Sequence, residues 1–297
     1  MEELYQDSKT LEALYQVCVK LVRSCIHEKI ERERIERIVT LVADAFQADP
    51  YNELLLLFYR DTKENFIYAH IANSMILSIA FSTSIGLSRQ DIMDIGCCAF
   101  GHDFGMIDYM ELFQKPEQLT DEHKLSIQKH PIKSAELFKP HFSERVINGM
   151  LDVHECVNGT GYPMGKTSAA ISFLGKIVSI CDIFEALTHP RNFRSAFSPY
   201  AAIKMIIKKK DVMFEKKILK EFVEFMSIYP IGCIVRINSG ETGMVVASNP
   251  KYPTRPIVHI LLDSKRDART SGKVINLLND PMLYISEAVD ENKEKEK

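Results

Sequence analysis

One aspartate stands inside a segment that is otherwise apolar, and its position strongly constrains how the chain can fold. Residues 177–184 read Ile-Val-Ser-Ile-Cys-Asp-Ile-Phe, with the charged residue at Asp182. A helix that is apolar nearly all round lies deep in a protein core. Burying an unpaired carboxylate there is costly, so Asp182 is expected to pair with another group or to bind a metal ion.

A histidine and an aspartate end another apolar row. Ile92, Ile95, Ala99 and His102 recur at helical spacing on one face of a predicted helix. His102 therefore points inward, and Asp103 follows it directly. The sequence predicts a second buried carboxylate next to a buried imidazole.

Two further histidines have related positions. In another predicted helix, Ile147, Leu151 and His154 lie in one row, which places His154 on the apolar side. His130 immediately precedes Pro131, so we predict a helix break there, with the His130 backbone outside the α region. A break of this kind lets a side chain enter a cleft.

A core histidine or an ion-paired aspartate explains any one of these positions better than a ligand does. Their occurrence together on separate predicted helices favours a shared site. Imidazole and carboxylate ligands suit iron, manganese or zinc, and a shared aspartate can bridge two ions.

The predicted elements divide the chain into four regions. N-terminal helices occupy 1–46, a larger helical metal-binding domain 47–228, a small β module 229–288 and a disordered charged tail 289–297. Ser88, Thr120 and Ser143 are predicted helix starts. Strand-like segments at 233–237, 243–246 and 257–262 predict the β module. The predicted fold class is mainly α with a small C-terminal β module.

Composition narrows the functional class. The formal net charge of −3 argues against a general electrostatic surface for nucleic acid or membranes. The first residues lack the basic and apolar blocks of a secretory signal, and no uninterrupted apolar run approaches the ~20 residues that span a bilayer. The seven cysteines have no CxxC spacing, which indicates buried reduced thiols. We therefore expect a soluble, cytoplasmic protein.

Several motifs together resemble the HD-GYP subgroup of the HD-domain phosphohydrolases. His70, then His102-Asp103, then Asp182 is similar to the His…His-Asp…Asp framework of that superfamily. Residues 154–163 read HECVNGTGYP and are similar to the HHExxDGxGYP signature of the subgroup. Residues 182–194 resemble its DxxDALTxxRxYR segment. The resemblance extends from about residue 49 to 226 and into the β module, and it implies an HD-type helical bundle.

The resemblance implies a bacterial phosphodiesterase that hydrolyses cyclic di-GMP. It implies two divalent transition-metal ions, with iron or manganese favoured. The implied ligands of the first ion are His70, His102, Asp103 and Asp182. Those of the second are Asp103, His130 and His154, with Asp103 as the catalytic bridge.

The resemblance also implies residues that bind the substrate and surfaces that bind partners. Tyr162 is implied to contact the nucleotide, and Arg191 and Arg194 are implied to grip phosphate oxygens with their forked guanidinium groups. The loop 154–163, here called the GYP loop, is implied to meet GGDEF-type or other signalling proteins. A homodimer is left open.

The chain departs from the family pattern at several positions. Met106 replaces the lysine expected to meet the scissile phosphate, and Val153 replaces the first of two consecutive histidines. Glu185 replaces an aspartate, which is a milder change. Phe66 stands where members with three metal ions carry glutamate, so a third ion is not expected.

These departures leave alternative functions open. One is a degenerate HD-GYP domain that binds cyclic di-GMP, or a partner protein, and regulates without hydrolysis. Another is a scaffold that uses the HD fold for protein contacts alone and need not bind metal. A nucleotidase of the wider HD superfamily is disfavoured because it does not need the NGTGYP sequence.

Overall fold

A computed structural model of the chain describes residues 2–48, 66–114, 120–190, 195–249, 252–263 and 272–289. Helices make up most of it, and an antiparallel sheet closes the chain. The predicted fold class is confirmed. The limits of the four predicted regions remain a prediction, and nearly all of the charged tail lies outside the described residues.

The helices of the described residues precede the sheet in the chain. Their bounds are α1 Glu2–His27, α2 Arg32–Gln47, α3 Phe66–Ser84, α4 Arg89–Gly101, α5 Met110–Gln114, α6 Asp121–Ile127, α7 His130–Phe138, α8 Glu144–Asp152, α9 Phe173–Thr188, α10 Pro199–Ile207 and α11 Lys216–Met226. Ser88, Thr120 and Ser143 precede α4, α6 and α8 as predicted. The first two accept a backbone N–H at the helix start, which satisfies one otherwise free donor.

Helix α3 lies at the centre of the bundle. Every residue from Ile67 to Ser82 is buried, and the helix packs against α1, α2, α4 and α9. It is long and apolar enough to cross a membrane, yet 89% of the relevant window is buried inside the protein. Its apolar surface on all sides is that of a core helix in a soluble domain.

Two sequence-based expectations about helix ends are wrong. His130 is the first residue of α7, so its backbone is helical. Pro131 fits the first turn of a helix, because backbone N–H groups there have no hydrogen-bond partner within the helix. Helix α8 ends at Asp152, so His154 lies in the turn that follows. The predicted break before α7 is observed, between the end of α6 and His130.

The C-terminal sheet is antiparallel, with strand order β4-β3-β2-β1-β5. The strands are β1 Ile234–Ile237, β2 Thr242–Ala247, β3 Ile257–Leu262, β4 Val274–Asn276 and β5 Ile285–Ala288. Strands β1 to β3 match the predicted strands, whereas β4 and β5 were not predicted. Alternate residues of β1 and β2 are buried, and their core is continuous with that of the helices.

Candidate metal centre

Five parts of the helical bundle direct ionisable side chains to one place. These residues are His70 on α3, His102 and Asp103 at the end of α4, His130 at the start of α7, His154 after α8 and Asp182 on α9. They form two groups that share one carboxylate. The first group is His70, His102, Asp103 and Asp182, and the second group is Asp103, His130 and His154. Within each group, the ligand atoms lie within 4.8 Å of one another.

The first group is buried and compact. His70 Nε2 lies 3.1 Å from Asp103 Oδ2 and 3.1 Å from Asp182 Oδ1. His102 Nε2 lies 3.5 Å from Asp103 Oδ1 and 3.6 Å from Asp182 Oδ1. The other carboxylate oxygen of Asp182 turns toward His154 Nδ1, at 3.8 Å. Two carboxylates and two imidazoles therefore surround one small volume.

The second group adjoins the first through Asp103. Asp103 Oδ1 lies 3.0 Å from His130 Nε2 and 3.3 Å from His154 Nε2. The two Nε2 atoms are 2.9 Å apart. One carboxylate therefore faces both groups, which is the arrangement that a bridging ligand requires.

Backbone contacts determine which ring nitrogen carries the proton in two of the histidines. His102 Nδ1 lies 2.7 Å from the carbonyl oxygen of Ala99, and His130 Nδ1 lies 2.8 Å from that of Ile127. A carbonyl oxygen only accepts hydrogen bonds, so each Nδ1 must donate. In the neutral rings, Nε2 then holds a lone pair that points into the cluster.

These lone pairs show that the residues fit a metal pair. His102 Nε2 is fully buried and has no hydrogen-bond partner among the described residues. Its lone pair faces carboxylate oxygens, which are acceptors as well. Acceptors that converge in this way repel one another unless a cation lies between them. Imidazole nitrogen and carboxylate oxygen are ligands suited to iron, manganese or zinc.

Burial lowers the pKa of His70 and His102, but the neighbouring carboxylates outweigh it and raise both. The ionisation of the two aspartates and of His154 suits metal binding. Burial raises the pKa of Asp103, but the neighbouring His102 and His130 outweigh it and hold that pKa well below its usual range. Burial likewise raises the pKa of Asp182, and His102 and His70 reverse this effect. Burial lowers the pKa of His154. Anionic carboxylates and a neutral imidazole are the forms that bind metal ions.

Tyr162 of the GYP loop lies against the second group. Its ring stacks on that of His154, with centroids 5.0 Å apart and an interplanar angle of 11°, and it meets the edge of His130 at 6.0 Å. Gly161 permits this approach, because a Cβ atom there would lie 2.3 Å from the backbone nitrogen of Cys156. The loop therefore positions an aromatic ring beside the candidate metal ligands.

Two buried carboxylates brace the GYP loop and the residues that follow it. Glu155 accepts the backbone N–H groups of Met164 and Lys166, at 2.7 and 2.8 Å. Asp152 accepts Lys166 Nζ at 2.6 Å and the backbone N–H of Ser172 at 2.7 Å. Sequence reasoning missed both roles, because the partners are mainly backbone groups.

The cluster opens into a cavity of about 520 Å³. Met106 and Val153, the two positions that depart most from the family pattern, both line it. The described residues that line the cavity include no lysine or arginine. Arg191 and Arg194 lie outside the described residues.

Glu185 contributes to the site in a way that the sequence analysis did not foresee. It is buried, with 1% exposure, and it accepts a hydrogen bond from His70 Nδ1. A signal was available in the sequence, because Glu185 follows Asp182 by three residues and so shares a helix face with it.

Comparisons with known proteins agree with this geometry. The HD domain family model matches residues 72–218, and a model described as a KOW domain associated with HD domain matches residues 234–297. The chain is 27% identical over 229 residues to the cyclic di-GMP phosphodiesterase PA4108 of Pseudomonas aeruginosa, covering 76% of this chain and 55% of that protein. It is also 27% identical over 214 residues to the cyclic di-GMP phosphodiesterase PdeB of Borreliella burgdorferi, covering 71% and 55%. The chain thus spans about half the length of these relatives.

A solved structure shares the fold. It is Bd1817 of Bdellovibrio bacteriovorus, described as an HDG"Y"P protein, with a TM-score of 0.59 and 18% identity over 71% of this chain and 69% of that one. Fold and site together define a helical HD-type protein with paired His/Asp groups. The HD-domain match and the named relatives support membership of the HD-GYP family.

Proposed function

We propose that this chain is a metal-dependent phosphodiesterase that hydrolyses cyclic di-GMP in the cytoplasm. The observation that carries the proposal is the convergence of imidazole lone pairs and carboxylates around Asp103. His102 Nε2 is buried without a hydrogen-bond partner among the described residues, and a metal ion bound there would supply one. Two relatives of the chain are named cyclic di-GMP phosphodiesterases, which supports the choice of substrate.

The two groups of side chains are the proposed metal ligands. Bound there, two divalent ions, with iron or manganese favoured, would lower the pKa of water and neutralise charge on the phosphate under attack. Asp103 would be shared by both ions, and the ligands His70, His102 and Asp182 would complete the first group. His130 and His154 would complete the second group, which has one protein ligand fewer.

The remaining roles concern the substrate. Tyr162 would present its ring face to a nucleobase or its hydroxyl to the phosphodiester, because it lies at the cavity wall next to His154. Burial raises the pKa of its hydroxyl, so Tyr162 acts as a neutral donor. Arg191 and Arg194 are proposed to bind phosphate oxygens. The GYP loop is proposed as the contact for GGDEF-type or other signalling proteins, and a homodimer would be consistent with the fold.

Two features favour a second candidate, a domain that binds cyclic di-GMP without cutting it. Met106 and Val153 line the cavity where the family pattern has a cation and an imidazole. Losing a group that stabilises the transition state costs about 2.7–4 kcal/mol, or roughly a hundred- to a thousand-fold in rate. Turnover measured beside binding separates the two candidates.

The decisive experiment is metal analysis of the purified protein together with a cyclic di-GMP turnover assay. Replacing Asp103 with alanine is expected to remove most bound metal and all turnover, because both groups lose a shared ligand. Asp44→Ala is the matched control, since Asp44 is exposed and pairs with Arg89 on the surface. If Asp103→Ala keeps the metal content of the parent, the assignment of the site is wrong.

A further inference from the structure

Glu185 is a buried carboxylate that is outside both metal-ligand groups. It lies on α9, one turn after Asp182, and only 1% of its surface is exposed. A buried carboxylate is stable only when donors surround it. Among the described residues, two side chains donate hydrogen bonds to this carboxylate, and both of them, His70 and Asn73, lie on α3.

Among the described contacts, three side chains lie close to the Glu185 carboxylate. His70 Nδ1 donates to Oε2. Asn73 Nδ2 donates to Oε1 at 3.2 Å, and His189 Nδ1 lies 3.2 Å from the same oxygen. Asn73 follows His70 by three residues on α3, and His189 follows Glu185 by four, so the contacts join one face of each helix.

The hydrogen-bond directions in this network are consistent with one another. The amide nitrogen of Asn73 only donates, and it also lies 3.3 Å from His189 Nε2. His189 Nε2 therefore accepts, which places the proton of that ring on Nδ1, facing Glu185. The Glu185 carboxylate thus receives hydrogen bonds from His70 and Asn73, while His189 Nδ1 donates to the backbone carbonyl of Glu185 at 3.1 Å.

We propose that Glu185 is a positioning residue for the first metal group, holding the proton of His70 on Nδ1 so that the Nε2 lone pair faces the ion. The proposal rests on the proposed function, because it assumes that the first group binds metal. Ligating histidines commonly donate their second N–H to a carboxylate, which fixes the ring and makes the ligand nitrogen more basic.

The support from Glu185 is specific to the first group. His102 and His130 donate their Nδ1 protons to backbone carbonyls, which carry no charge. Among the histidines of the two metal-ligand groups, His70 alone has a described hydrogen bond from Nδ1 to a carboxylate. Removing the Glu185 charge should therefore weaken metal binding at the first group and leave the second group unchanged.

The first measurement is zinc affinity, determined by competition with a chromogenic chelator. Glu185→Gln is made in the full chain that also carries His130→Ala, a background in which only the first group is complete. We expect the dissociation constant for zinc to rise about 10- to 100-fold, the usual cost of losing such a partner. Glu224→Gln, the same chemical change at an exposed residue of α11, should leave it unchanged.

The second measurement uses the parent protein and needs no variant at the site. In the zinc-loaded protein, nitrogen-15 NMR of the histidine rings should show the His70 proton on Nδ1, with a strongly downfield and exchange-protected resonance. A proton on Nε2, or an unchanged zinc affinity in a folded Glu185→Gln protein, would overturn the inference. A parent chain that binds no zinc would instead overturn the proposed function on which the inference rests.

Discussion

Met106 borders the same cavity as Asp103 and His130, at a position where the family pattern has lysine. Its thioether supplies no positive charge to a phosphate. Val153 lines the cavity as well, and only 1% of its surface is exposed. At these two positions the cavity therefore has neither the cation nor the imidazole of the family pattern.

Restoring both residues is expected to raise turnover. The double variant Met106→Lys, Val153→His should hydrolyse cyclic di-GMP at least ~10-fold faster than the parent, which corresponds to about 1.4 kcal/mol of transition-state stabilisation. The lysine returns a cation to the phosphate, and the imidazole adds a ligand to the second group. Steady-state turnover measures the effect.

The controls for this variant are its metal content and its binding of cyclic di-GMP. Each single variant should give part of the gain. A double variant that folds, binds metal and binds the nucleotide, yet shows no gain, would mean that these two positions do not limit hydrolysis.

At the scale of elements, the turn after α8 and the GYP loop form one braced unit. Asp152, the last residue of α8, accepts hydrogen bonds from the Lys166 side chain and from the backbone N–H of Ser172. Glu155 accepts hydrogen bonds from the backbone N–H groups of Met164 and Lys166. His154 lies between the two carboxylates in sequence. Its place in the second group therefore depends on contacts that fix the loop on both sides.

Replacing Asp152 with alanine should destabilise this unit. Asp152 is 1% exposed, and its loss leaves Lys166 and the Ser172 N–H without their acceptor. Because Lys166 can turn to solvent, we expect a loss of about 1–3 kcal/mol in the free energy of unfolding. Urea denaturation measures it. Asp44→Ala, an exposed replacement, should stay within about 0.5 kcal/mol of the parent, and an equal effect of both variants would contradict the bracing role.

At the scale of the whole molecule, the centre joins elements that are far apart in the chain. Its proposed ligands come from α3, from the ends of α4 and α7, from the turn after α8 and from α9. Ions bound to the two groups would stabilise the folded bundle, because the unfolded chain does not bring the ligands together.

Metal removal should therefore lower the melting temperature. At a free metal concentration about 100 times the dissociation constant, binding adds about 2.7 kcal/mol. For a chain of 297 residues, that corresponds to roughly 4 °C. Thermal unfolding of chelator-treated protein, before and after manganese is added back, measures the shift. The Asp103→Ala variant should show no such shift. If adding manganese leaves the melting temperature of the parent unchanged, the proposal is contradicted.

Much of the fold was predictable from local patterns. Apolar residues at helical spacing placed His102 and Asp182 inside, and serine and threonine at the predicted helix starts have the expected positions. The sequence analysis predicted α8 to be longer than it is. The row of apolar residues continues past Asp152, but the residues that follow form a turn and not a further turn of helix. Strands β4 and β5 are short and exposed on one side, which leaves little pattern to read.

Local patterns were enough to predict that His102 and Asp182 are buried, since their burial follows from the residues within one or two turns of the same helix. Which side chains meet depends on how the helices pack. His70 and Glu185 are separated by 115 positions in the chain, and the packing of their helices brings them into contact. A local sequence pattern carries no information about this packing. The proton positions on His102 and His130 were likewise decided by the folded backbone, because their acceptors are carbonyl groups of Ala99 and Ile127, which any residue could supply.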